Sequence, residues 1–599
     1  MTEGLGFGIH RGRRALQLTV SVVTIMTLML IAGVPQGVAK PPQKKCPSLD
    51  GKFEVGSGWE NTPAPGIEIV SASDEEVVFT VTEGFALIDM CVKTGKELNN
   101  FITDAELPVP GPITITVGKA AGGLGLGHLT FDTQSSDEVT CPDVSPADVS
   151  FAEPKLIDEN RAGGEPVSIV AEDGSISVSA HAGTTHIYKA PDAVPGAQDF
   201  AVGYWNQTLN WRSTDGGDTW EYVGLLGTGQ GPHSITSTGF SDPDFAIDQA
   251  GNIYNVEIDL ANIAVFSSPD DGQSYPIANA YAWAGDRPWL TALEDNEVFL
   301  YVNLPKQMLK SSDGGITWVP LTGSFPVTSK SVPDPLDPEG NTMIGPVGLG
   351  RFAIGTENDD PVQPEITWET KNFGPREGDA TQFFGVVGVD NAGNVYQATA
   401  GGYRGANDTS ADGVVSFMYY ERAKDRPNPE PIGIPTPPGD ALWPWIIAGD
   451  DGRAAVVWYQ NLDGEPNKFY IYAAVTHNAY GTTVTCSDGT KKDVPPRFTV
   501  LNVSGDPIHI GAICLSGTTC NANPSFEGGD RRLGDFFTVN FDLDGNLFIA
   551  SADTTPPNPL GGPKPVGNPI FIKQKSGDRM LEEPIEPRET RCLWPLPSC

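Results

Sequence analysis

Short apolar runs, alternating or continuous and bounded by Gly, Pro, Asn or Asp, recur along most of the chain, and no long amphipathic helical period interrupts them. Alternation such as Val77-Val-Phe-Thr-Val81 and Ile113-Thr-Ile-Thr-Val117 predicts half-buried strands, and residues 46–141 read as a small β-sandwich accessory domain. From about residue 160 onward the pattern becomes periodic. A short apolar strand, an Asp-x-x-Gly or related turn and a second strand recur at Glu165-Pro166…Asp173-Gly174, Asp242-Pro243…Asp248-Gln-Ala-Gly251-Asn, Arg287-Pro288…Asp295-Asn296, Phe384…Asp390-Asn-Ala-Gly393-Asn, Trp443-Pro444…Asp451-Gly452 and Phe536…Asp542-Leu-Asp-Gly545-Asn. Each copy predicts the first hairpin of one repeating unit.

A second template, Ser-x-Asp-x-Gly-x-Thr/Ser-aromatic, occurs three times. The copies are Ser213, Asp215, Gly217 and Trp220; Ser268, Asp270, Gly272 and Tyr275; and Ser311, Asp313, Gly315 and Trp318. Asp and Ser side chains bond nearby backbone N–H groups and Gly takes a positive φ, so each copy predicts a hairpin turn. These segments resemble the Asp-box, or BNR repeat, of the sialidase/neuraminidase superfamily. The resemblance implies an all-β β-propeller over 161–580, and the six first hairpins count six blades, with five or seven left open, the Asp-box closing the last hairpin of blades one to three. Six blades leave about 70 residues each, and the surplus is assigned to loops at the Pro-rich stretches 331–339 and 426–438 and at 554–569. Residues 142–160 then form a linker and 581–599 a C-terminal tail.

In that family the Asp-box is structural and stands away from the catalytic face, while the first blade carries Arg-Ile-Pro to hold a sugar carboxylate. Here the corresponding stretch is Gly163-Gly-Glu165-Pro166-Val167. The Pro is kept, the arginine is absent, and the charge beside the Pro is that of Glu165. Sialic acid is therefore in doubt as a ligand, and catalysis is left open. Aligning the six copies on their turns puts Glu165, Asp242, Arg287, Phe384, Trp443 and Phe536 at one equivalent position, with Asp286 and Asp535 one place earlier. The starts of the innermost strands line a propeller's central mouth. Glu165, Asp242 and Asp286 are the candidate acid/base carboxylates, and Arg287, Phe384, Trp443, Asp535 and Phe536 the candidate ligand-binding groups. Arg453, Arg531 and Arg532 are the other arginines considered for this face, Arg453 being placed at the opposite end. His181 and His186, with Asp242, suit a metal; buried, hydrogen-bonded histidine is the plainer reading.

The net charge of −38 excludes a nucleic-acid partner, because such a surface repels phosphates, and leaves calcium bound by some of the carboxylates as a possible cofactor. Arg11, Arg13 and Arg14 precede an apolar run from Leu16 to Val34 and the small residues Gly37-Val-Ala39, which predicts a cleaved signal peptide over 1–39, secretion, and no membrane span in the mature chain; an uncleaved anchor is the alternative, because the run is nearly long enough to span a bilayer. Eight cysteines follow it, an even number suited to disulfides. Cys514–Cys520 and Cys592–Cys599 are close enough in sequence to close local loops, and Cys46 and Cys141 bracket the accessory domain as a candidate staple. The expected function is recognition of a carbohydrate or glycoprotein. A glycosidase acting on sialic acid or another sugar, and an extracellular scaffold or adhesion protein, are the alternatives.

Overall fold

The computed structural model describes most of 141–588 and the strands of 51–135. Residues 1–50, 225–240, 521–529, 589–599 and several shorter loops stand outside the described residues, and with them the signal segment, Cys46, His186, Cys592 and Cys599.

The chain divides into two compact units, one of 1–142 with 485–492 and one of 143–484 with 493–599. In the smaller unit, Gly51–Glu54, Leu126–Ser135, Phe85–Thr94 and Glu97–Asn99 form one sheet with Val109–Pro110 on its flank, and Ile67–Ala72, Glu76–Val81 and Ile113–Gly118 form another. Val77, Phe79 and Val81 alternate inward on one sheet, and the Phe79 ring meets Phe131 of the other edge-on at 4.8 Å. Cys141 is disulfide-bonded to Cys486, 345 residues away, and not to Cys46. Bracketing a domain in sequence did not identify the partner that the fold brings close.

The larger unit is a β-propeller with seven blades, not six. Blade one is Gly164–Val170, Ile176–His181, Thr208–Ser213 and Glu221–Val223; blade two begins at Ser241–Ile247 and blade three at Asp286–Ala292. Blade four is Val332–Pro333, Thr342–Pro346, Arg351–Glu357 and Ile366–Asn372, and blades five, six and seven begin at Val387–Val389, Ala441–Ala448 and Thr538–Phe541. Blade four is the one missing from the six repeats. Its first strand is two residues long and lies within the Pro-rich stretch expected to be a loop. Its turn, Asp337-Pro-Glu-Gly340-Asn341, nevertheless makes the same bonds as its counterparts. Asp337 accepts the N–H of Glu339 at 3.1 Å and of Asn341 at 3.0 Å, as Asp248 accepts those of Ala250 and Asn252 at 3.0 and 2.9 Å.

The three Ser-x-Asp-x-Gly segments close the hairpin between the third and fourth strands of blades one to three. Their hydrogen bonds repeat almost identically. Ser213 Oγ accepts the Gly217 N–H at 2.8 Å, and Asp215 accepts the Thr219 N–H at 2.8 Å and its hydroxyl at 2.6 Å. Asp270 and Asp313 make the same pair of bonds with Ser274 and Thr317.

Closure of the ring corrects two further expectations. Residues 142–160 are not a free linker: Lys155–Leu156 and Val149–Phe151 pair with Asn568–Gly577 as the outer edge of blade seven. The stretch 426–438 supplies Arg426–Pro427 and Ile432–Gly433 to blade five. Joining the two ends of the domain in one sheet closes the ring of blades and leaves only short edge strands on the outside of blade seven.

Candidate functional site

Four innermost strands share an unusual start. Glu165, Asp242, Arg287 and Trp443 each precede a proline and hold φ values of 54°, 52°, 56° and 50°. Left-handed backbone is costly for residues with a Cβ, and a following proline favours extended φ and ψ instead. The register shifts between Gly164 and Val167, Ser241 and Asp244, and Leu442 and Trp445 mark bulges at three of these starts. A bulge takes a side chain off the alternation of the pleat. Non-glycine residues held in this region cost about 1–3 kcal/mol each and cluster at functional sites, which makes these strand starts the candidate site.

Glu165 is the hub. It is 1% exposed, its Oε2 lies 2.6 Å from Nε2 of the fully buried His181, and its Oε1 accepts the backbone N–H of Asp535 at 2.6 Å. Burial opposes ionisation of Glu165, but His181, the Arg531 charge and the Asp535 N–H together hold its pKa below the ordinary carboxylate value. Asp535 accepts from Arg531 Nη1 at 2.5 Å and from Arg287 Nη2 at 3.0 Å. Burial nevertheless pushes the Asp535 pKa up, with the Glu165 charge adding to it. Asp242 is half-buried and accepts from the Ser241 hydroxyl. Burial, then the charges of Glu165 and Asp286, push its pKa up to about 7. Tyr459, hydrogen-bonded to Ser551 at 2.8 Å, is likewise pushed up by burial and by the Glu165 charge.

Gly534 allows this arrangement. Its φ is 81°, and a Cβ there would stand 2.3 Å from Glu165 Cγ. Gly534→Ala is expected to cost about 2–4 kcal/mol, combining left-handed strain with overpacking. Gly464→Ala, at the same φ with nothing within 4 Å, isolates the strain alone. Equal losses for the two variants in denaturant unfolding would show that Glu165 does not fill this space.

The aromatic candidates separate into two groups. Trp443 (3% exposed) stacks on Phe383 at 5.9 Å and meets Tyr459 edge-on at 6.0 Å. Phe536 (4% exposed) packs with Trp289, Phe384 and Trp445 at 5.4, 5.7 and 5.5 Å. These rings fill the propeller's centre. Phe384 is half-buried, as is Phe383, which the alignment of repeats overlooked although it forms a doublet with Phe384. The Arg287 guanidinium lies 5.2 Å from the Phe383 ring centre and 5.5 Å from that of Phe384. Further along the innermost strands is a cavity of about 310 Å³ lined by Val167, Trp445, Thr538 and the Asp244–Lys330 ion pair, whose atoms are 2.8 Å apart.

The structure thus brings Glu165, Asp242, Asp286, Arg287 and Asp535 into one charged cluster at the mouth. The bonding of His181 to Glu165, and of Arg531 to Asp535, was not legible from the repeat. Arg532 is held by Asp530 at 2.8 Å and Arg453 by Glu582 at 2.9 Å, both structural pairs. Among the described residues, donor atoms of Glu165, His181 and Asp242 lie within 4.8 Å of one another, a spacing that a metal ion can use. Metal–ligand bonds of about 2.0–2.1 Å hold two ligands roughly 3 Å apart or more, so Glu165 and His181 at 2.6 Å are a hydrogen-bonded pair as they stand. A trio containing one nitrogen and so few oxygens does not match the six to eight oxygen ligands that calcium takes.

No family model matches the chain. A sialidase from Micromonospora viridifaciens is 30% identical over 131 residues, 22% of this chain and 16% of that protein, so the match spans less than a fifth of its curated relative. Among solved structures, the intramolecular trans-sialidase from Ruminococcus gnavus aligns with a TM-score of 0.32 and 10% identity, over 72% of this chain and 99% of its own. YCF48 from Cyanidioschyzon merolae aligns with a TM-score of 0.34 and 11% identity, over 70% and 98%. The local sialidase match, on a chain carrying three Ser-x-Asp-x-Gly turns, supports a sialidase-like β-propeller.

Proposed function

We propose that this is an exported propeller that recognises glycans at the mouth formed by Arg287, Phe383, Phe384, Asp242 and Asp286. The observation that carries this reading is the Arg287 guanidinium beside the Phe383 and Phe384 rings, all three half-buried, together with the half-buried carboxyl groups of Asp242 and Asp286. Sugar CH faces stack on rings while hydroxyls bond guanidinium and carboxyl groups. The signal-like segment and the Cys514–Cys520 disulfide support export. Phe384→Ala is expected to weaken binding about tenfold, the worth of one stacking ring. A glycan array followed by calorimetry on folded protein measures this. Binding to no glycan would overturn the proposal.

A second reading is glycoside hydrolysis, favoured by the state of Asp242. A carboxyl that titrates at about 7 beside one held ionised is the pairing of a general acid with a charge that keeps its proton. Their oxygens lie within 4.8 Å, too close for the water that inversion places between carboxyls about 6.5–9.5 Å apart. Glu165 is buried with both oxygens engaged, so its role in this reading is to hold the proton on Asp242. A chromogenic glycoside panel with wild type and Asp242→Asn tests it, and a turnover unchanged by the substitution would overturn it.

A further inference from the structure

The two guanidinium groups at the mouth already hold a carboxylate, and it belongs to the protein. Asp535 Oδ1 accepts from Arg531 Nη1 at 2.5 Å, and Oδ2 accepts from Arg287 Nη2 at 3.0 Å and Arg531 Nη2 at 3.4 Å, so Arg531 engages both oxygens and Arg287 one. Asp535 is held in place by its own backbone, whose N–H donates to Glu165 Oε1 at 2.6 Å, and by the Gly534 turn that packs on the Glu165 side chain. It is 5% exposed and Arg531 is 3% exposed, whereas the Arg287 side chain is 20% exposed. The ionisable groups around this point are the carboxyls of Glu165, Asp242, Asp286 and Asp535, the guanidiniums of Arg287 and Arg531, and the His181 imidazole bonded to Glu165.

An incoming ligand carboxylate would have to take the arginines from Asp535, leaving that carboxylate buried and unpaired beside Glu165. Stripping a buried charge of its partner is strongly unfavourable. A hydroxyl makes no such demand, since it can accept from the part of the Arg287 fork that Asp535 does not use and donate to Asp242 or Asp286.

We propose that Asp535 is a specificity-determining residue, a built-in carboxylate that occupies the arginine pair so that the mouth selects sugars without an acid group and rejects sialic acids and uronates. The inference rests on the glycan reading above and names the substrate class of the same site. The test uses the full chain and matched oligosaccharides that differ only in a terminal sialic or glucuronic acid, on an array and by calorimetry. Wild type is expected to favour the neutral member of each pair by at least about tenfold. Asp535→Asn frees the guanidiniums and is expected to raise affinity for the acidic members by about tenfold, with a salt dependence that the neutral members lack. Arg287→Gln leaves Asp535 on Arg531 and should gain no acid binding, a comparison that stands if Asp535→Asn does not fold. Wild-type preference for the acidic members, an unchanged ratio in folded Asp535→Asn, or acid binding gained by Arg287→Gln would each overturn the role of Asp535 alone. Binding to no sugar of either kind would overturn the glycan reading beneath it.

Discussion

Replacing Glu165 with Ala should lower the free energy of unfolding by about 3–5 kcal/mol, the cost of removing one partner from a buried charged network. The substitution leaves His181 Nε2 without its bond, and His181 Nδ1 already has no hydrogen-bond partner among the described residues. It also orphans the Asp535 N–H and removes a negative charge facing Arg531. Glu165→Gln keeps the shape and one acceptor, so its cost should be clearly smaller. Denaturant unfolding of both variants measures the difference, with His181→Ala and the double variant completing a cycle for the pair. A loss below about 1 kcal/mol for Glu165→Ala would show that the network contributes no more than an exposed ion pair.

Asp242 should make stability fall as pH rises from about 4 to about 7. Its folded pKa is about 7 against an ordinary 3.8, so across this window the folded chain holds a proton that the unfolded chain has released. Stability falls with pH wherever the folded state binds more protons. The gap of about three pH units, at about 1.4 kcal/mol each, sets an upper bound of about 4 kcal/mol, which water at the half-buried carboxyl reduces. Glu165, with a lowered pKa, acts in the opposite direction, its contribution being present above the unfolded pKa and lost as pH falls through the folded one. Asp242→Asn should flatten the fall between pH 4 and 7 while keeping the loss at lower pH. If hydrolysis occurs, activity should decline above pH 7 in wild type as the acid loses its proton. A stability profile unchanged by Asp242→Asn would remove the basis for both expectations.

The turns were legible because their determinants are local. Each aspartate bonds N–H groups two to four residues ahead, as Asp215 does with Thr219 and Asp390 with Ala392 and Asn394, so the template and the geometry occupy the same few residues. The six recognised repeats also placed Glu165, Asp242, Arg287 and Trp443 at one position, and their shared positive φ reflects that equivalence. The same kind of turn was present in blade four, but Pro338 in its middle and a two-residue first strand made it read as a loop. Cys514 and Cys520, six residues apart, are joined as their spacing suggests.

The residues of the site meet through contacts that no local pattern encodes. Asp535 donates to Glu165 across 370 residues and accepts from Arg287 across 248, the first contact made where the ring closes blade seven against blade one and the second where the starts of blades three and seven converge. Closure also decided which aromatic candidates are core: Trp443 and Phe536 have the alternation of strand starts, yet the converging strands bury their rings while Phe383 and Phe384 keep part of theirs exposed. Sequence determines the strands and turns because these are settled by hydrogen bonds within a few residues and by the apolar period. The partner of each charge and the burial of each ring are settled only when distant strands converge on one axis, where desolvation makes every unpaired charge costly.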